Sequence, residues 1–191
     1  MKHPASRELY THWQELRGRR PAPERAELEP GAIRQILSEA FILALDHTAG
    51  YPFRLAGTRV CALFGRELKG ESFVSLWDNA NRRAILELLQ VLADEWVGTV
   101  AGASAQTSSG ETLELELLLL PLSTGRPHLA RTIGVLAPLK IPQWIGVSPI
   151  GTLELGSRRY VGPGVEKRLA PRFLAPRSRH GLMVYDGGRS Q

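Results

Sequence analysis

One cysteine, two methionines and an aromatic share of 7% are a thin supply for 191 residues. A single cysteine excludes an internal disulfide framework and suits a reducing compartment. The longest apolar run, LLLLPL at residues 117–122, falls far short of the roughly 20 residues that span a bilayer. The opening MKHPASRELYTHW has no apolar stretch ahead of a small-residue cleavage site, so a soluble, cytoplasmic protein is expected. The histidines, His3, His12, His47, His128 and His180, fall at no metal-ligand spacing. GxSxG, P-loop and GxGxxG motifs are missing, and no carboxylate pair is spaced for acid–base work. The chain is therefore not expected to be an enzyme.

What is present is a polar-to-apolar balance typical of a globular protein, with 43% hydrophobic and 23% charged residues. The net charge of +5 is unevenly spread. From Arg158 onward eight Lys or Arg face two Asp or Glu, a net of +6, which leaves −1 on the first 157 residues. The basic character thus belongs to the tail, where Pro, Gly and Arg predict disorder. No aromatic platform accompanies that charge, so nucleic acid or a membrane surface is a disfavoured partner and would be met only through the tail.

Leu9, Trp13 and Leu16 fall at i, i+4 and i+7, which predicts an amphipathic helix capped by Ser6 and stopped by Gly18. RRPAPERAELEP reads as an exposed linker, and GAIRQILSEA after Pro30 as a short helix. AFILALD and YPFRLAG predict a hairpin, with Tyr51, Phe53 and Leu55 on one face and Arg54 on the other. Three short helices should follow, the first, RVCALFG, capped by Thr58 and closed by Gly65. Then Asp78 caps a long helix, NANRRAILELLQVLADEW. Three strands complete the pattern. In ETLELELLLLPL, Glu114 and Glu116 alternate with leucines as a wet face, but Leu118 and Leu120 break the alternation. That outer patch needs a cover, and the helix carrying Trp13 has the right face. The order predicts an α+β fold, a five-stranded antiparallel sheet with its helices inserted after strand two. After Pro138 an irregular docking segment is expected, with room for one added strand.

RLAGTRVCALFGRELKGESF, with Gly65, Gly70, Ser72 and Phe73 at the strand-to-helix crossover, resembles the PAS sensory fold. RELYTHWQELRGRRPAPERAELEP and LELLLLPL add a likeness to small single-domain bacterial PAS proteins formerly grouped as a domain of unknown function. The resemblance implies a ligand cup between the inner sheet face and the short helices, with dimerisation through the N-terminal helix or the outer face. It also implies that a photoadduct motif or a haem histidine on the long helix would be visible; RVCALFG and the long helix carry neither. No cofactor is named by the sequence.

The expected organisation is an N-terminal helix and linker over 1–30, a PAS-like domain over 31–158 and a basic tail over 159–191. Phe53, Leu63, Phe64, Phe73, Trp77, Leu115 and Leu117 are the candidate cup lining, equally suited to solid core. Arg54 and Arg59, with Arg66 nearby, would clamp a carboxylate or phosphate if they converged, or else pair with surface acids. Cys61 lacks a local base and reads as packing. The expected function is a non-catalytic sensory or regulatory module in bacterial signalling, a homodimer that binds a small molecule or a signalling protein. The alternatives are an enzyme using Cys61 or the arginines, and a nucleic-acid or membrane-surface binder using the tail.

Overall fold

The computed structural model describes residues 1–125, 131–163 and 165. Most of the segment expected to be a disordered tail, like His128 and His180, lies outside them.

Six antiparallel strands form one sheet: β1 (Ala40–Ala44), β2 (Phe53–Ala56), β3 (Gly98–Thr107), β4 (Thr112–Leu122), β5 (Arg131–Pro138) and β6 (Ile150–Val161). Their order is β2-β1-β5-β4-β3-β6. The five expected strands are there. The added one, β6, pairs along β3 and covers what would otherwise be an open edge. Its last residues, 159–161, are the first three of the segment assigned to the tail.

Among the described residues three α-helices accompany the sheet: α1 (Pro4–Arg17), α2 (Thr58–Phe64) and α3 (Asn79–Glu95). Asp78 caps α3 by accepting from the Asn81 N–H, as its sequence predicts. The cap of α1 is His3 rather than Ser6: Pro4 opens the helix, and His3 Nδ1 accepts from the Ala5 N–H. Ser6 lies one turn in and is fully buried. GAIRQILSEA forms a 3-10 turn, Pro30–Ile33, followed by further turns, because it is pinned at both ends before a helix can propagate.

Strand alternation sorts the core into two layers. Leu113, Leu115, Leu117 and Leu119 of β4 join the inner cluster with α2, α3 and β1, while Leu118, Leu120 and Leu122 join an outer cluster with Leu9 and Trp13 of α1. The cover that the outer leucines call for is indeed α1, packed on β4 and β5. The segment after it is not an exposed linker. Ala22, Pro23 and Leu28 are buried, and the backbone pairs with Ser123 through Ser123 N–H to Pro23 O and Arg25 N–H to Ser123 O. Its charge pattern hid this docking, which depends on the distant end of β4.

The β1–β2 hairpin departs from simple alternation. Leu43 pairs with Phe53 and Ile42 with Leu55, so Arg54 is an extra, bulged residue. Paired residues share a face. Phe53 therefore points into the inner cluster, and Leu55 lies with Ile42 on the outer side, against the single face expected for both. Two glycines fix neighbouring contacts. A Cβ on Gly134 would stand 2.3 Å from the Phe41 ring, and one on Gly57 would stand 2.2 Å from the Leu37 carbonyl oxygen.

Candidate functional site

On the inner face, four rings meet edge to face or stacked. Phe41, Phe53 and Phe73 lie 5.6–5.7 Å apart by ring centroids, and Phe73 lies 5.9 Å from Trp77. All four are at most 1% exposed. The expected lining residues Phe53, Leu63, Phe64, Phe73, Trp77, Leu115 and Leu117 do come together in this one cluster. They pack against one another and against Leu153 of β6, which bridges to Trp77 and accepts the Asp78 N–H at its carbonyl. One polar atom inside this packing stands out: Trp77 Nε1 is buried without a hydrogen-bond partner among the described residues.

The structure does not bring the arginines to that cup. Arg59 is largely exposed and its guanidinium bonds the buried carboxylate of Glu39. Arg66 forks onto Glu71 at 3.0–3.1 Å. Arg54 is exposed and lies near Asp46, whose carboxyl is held below its ordinary range mainly by the Ala49 N–H and the Thr48 hydroxyl. Each arginine thus meets a different acid. Cys61 is partly buried. Burial, and then the Glu67 carboxylate 3.5 Å from Sγ, push its thiol up, away from the thiolate that a nucleophile requires.

Beside the cup, Tyr51 sits in the β1–β2 turn with φ +58°, in the left-handed region rare for non-glycine residues. Burial pushes its phenol up to about 12, and its hydroxyl pairs with His47 Nδ1 at 2.7 Å.

The outer face is held by polar clamps as well as by packing. Trp13 Nε1 donates to Pro121 O at 2.8 Å. Glu116, expected on a wet face, is only 5% exposed because the start of α1 covers it. Its carboxylate accepts the Lys2 N–H at 2.6 Å and the His3 N–H at 3.0 Å. Burial alone would push Glu116 up. The Lys2 N–H, the Ser6 hydroxyl, the His3 N–H and the nearby amino terminus together outweigh it and hold the carboxyl below its ordinary value. Sequence reasoning missed this clamp, although Glu116 stands two residues before Leu118, under the same cover.

Two cavities open on this outer side. One of about 610 Å³ lies beside the amino terminus, between β3, β4 and β6, and is lined partly by Lys2, Ser104, Glu114 and Arg158. The other, about 490 Å³, lies between the Pro30–Ile33 turn and strands β1, β2 and β5.

A sheet of this order, with α2 and α3 inserted after β2 and packed on one face, defines an α+β fold. The chain belongs to the PAS domain family, a class of sensory and regulatory modules: the family profile described as PAS domain matches residues 1–137. That span takes in α1 and ends within β5, so β6 lies beyond it. A solved structure of an RNA-binding light-oxygen-voltage receptor is similar, at 16% identity over 60% of this chain and with a TM-score of 0.44. The likeness covers 33% of the receptor, so this chain spans about a third of its length. No curated protein matches the chain. Among the described residues no group of side chains is placed to hold a metal ion, and no helix is long and apolar enough to cross a membrane.

Proposed function

We propose that the chain is a non-catalytic regulatory module in bacterial signalling whose output is the docking of α1 on the outer sheet face. One observation carries this reading: the outer face is a separate apolar layer closed by the N-terminal segment, not part of the central core. A ligand or partner that favours the docked or the released state shifts that equilibrium, and with it the affinity for a signalling protein or a second copy. The β5–β6 connection presents Ile141 (71% exposed) and Val147 (81% exposed), apolar side chains suited to burial by such a partner. Native mass spectrometry at micromolar protein tests the assembly. A homodimer is expected, and Trp13→Ala should shift it towards monomer; an unchanged mass distribution removes α1 from the interface.

A second reading is favoured by Trp77. Its unpartnered indole N–H suits a small ligand that offers an acceptor oxygen inside the cup lined by Phe53, Leu63, Phe64, Phe73, Leu115 and Leu117. Mass spectrometry of molecules released from purified protein should then find a species whose occupancy falls about tenfold in Trp77→Phe. If nothing is released from the wild type, or occupancy is the same in both, the cup is core alone.

A further inference from the structure

We infer that the cavity of about 490 Å³ under the Pro30–Ile33 turn is a binding site for an amphipathic anion, an apolar body ending in a carboxylate. This site lies outside the aromatic cup and does not depend on it. Three observations converge there. The volume is within the range of small-ligand pockets, about 300–1,000 Å³. The walls are apolar: Leu28, Ile33 and Leu37 come from the N-terminal segment, and Ile42, Leu55 and Ile133 from the sheet. Among the described residues the charged ones that line it, Arg25 and Arg34, are both arginines, and no carboxylate lines it.

Among the described residues neither arginine has an acidic partner, in contrast to Arg20, Arg59, Arg66 and Arg83, each of which has its own glutamate. Arg25 Nε is also buried without a hydrogen-bond acceptor. A buried charged donor with no acceptor is costly, and a carboxylate is the group whose geometry matches a guanidinium. The position of Arg25 is set by backbone, because its N–H is bonded to Ser123 O at the end of β4. The donor is thus held at an apolar wall.

The bulge at Arg54 completes the site. It turns Leu55 away from Phe53 and onto the cavity, where it is 43% exposed at the rim. Gly57 lets the Leu37–Ser38 backbone close over the end of β2, since any Cβ there would meet that backbone. An acyl or aryl body would lie along Ile42, Leu55 and Ile133, with its carboxylate at Arg25 and Arg34.

Isothermal titration calorimetry of the full chain with decanoate and with decan-1-ol, both below aggregation concentrations, tests the assignment. Decanoate should bind, and decan-1-ol should bind at least about tenfold more weakly, since it lacks the charge-assisted hydrogen bonds. Arg25→Gln and Arg34→Gln should each weaken decanoate by about tenfold and leave decan-1-ol unchanged. Leu55→Glu, at the exposed rim, should abolish decanoate binding by placing a like charge at the mouth. No heat from decanoate with folded wild-type protein overturns the proposal, as does equal affinity for the acid and the alcohol. Indifference of decanoate affinity to all three variants, with circular dichroism showing them folded, would also overturn it. The regulatory reading of α1 stands or falls separately, on the oligomer masses.

Discussion

The inner and outer faces of the sheet bury comparable apolar layers by different means. The inner layer holds the ring cluster and draws on α2, α3 and all six strands, so its side chains are enclosed from many directions. The outer layer is mostly aliphatic and is closed by one continuous stretch of chain, α1 and the segment after it, fastened at Trp13 and Glu116. Removing the inner layer requires unfolding the domain, whereas the outer layer can be uncovered by lifting one segment. Elements of the second kind suit switching, because their local stability can lie well below that of the whole.

Substitutions on the two faces should therefore differ in kind as well as in size. Phe73→Ala, in the ring cluster, should cost about 3–5 kcal/mol of global stability, read from urea denaturation. A loss below about 1 kcal/mol would mean that the inner layer is not the rigid one. Trp13→Ala removes a buried ring and its bond to Pro121, but release of α1 limits the penalty to that segment. A loss of about 3 kcal/mol is expected, read as faster amide exchange in α1 while β3, β4 and β5 stay protected. Uniform loss of protection through the sheet would erase the distinction between the faces.

Glu116→Gln should act more weakly on the same segment, by about 1–2 kcal/mol, again seen in α1 exchange. The pH dependence has a definite sign. The folded value of Glu116 lies below that of the unfolded chain, so its contribution is complete above the unfolded value of about 4.3. It is lost as pH falls through the lower folded value. Protection of α1 should accordingly drop with acid in the wild type, and Glu116→Gln should flatten that step. A wild-type profile without an acid step would leave Glu116 a spectator.

How much of this was readable in the sequence depended on how local each signal was. Leu118 and Leu120 broke strand alternation, and together with the Leu9–Trp13 stripe they named both the outer layer and its cover. The cup residues were legible for the same reason, since alternation in β4 and helical spacing in α2 sort them to one side. The bulge was not legible. Strand parity between Phe53 and Leu55 changes through one unpaired residue, and the hydrogen bonds of Phe53 with Glu71 and Gly70 that accompany it join distant parts of the chain. The arginines were ambiguous because the acids they meet, Glu39 for Arg59 among them, are chosen by tertiary contact. Arg25 sits in a stretch that reads as exposed linker and Arg34 in one that reads as a short helix; only the docking of Ala22, Pro23 and Leu28 sets the two beside a cavity.

That single unpaired residue has a mechanical consequence. β2 is four residues long and hands Phe53 to the ring cluster and Leu55 to the cavity on the far side. The two compartments lie on opposite faces of the sheet, with this strand and Phe41 as their common wall. A displacement of the Phe53 ring must move the backbone that carries Leu55, and pressure on Leu55 returns along the same two peptide units. Deleting Arg54 would remove the bulge and leave Phe53 and Leu55, then consecutive, still on opposite faces, whereas pairing Arg54 regularly into the ladder would carry Leu55 round to the rings. Whether Arg54 is bulged or paired thus decides which of the two interiors Leu55 enters.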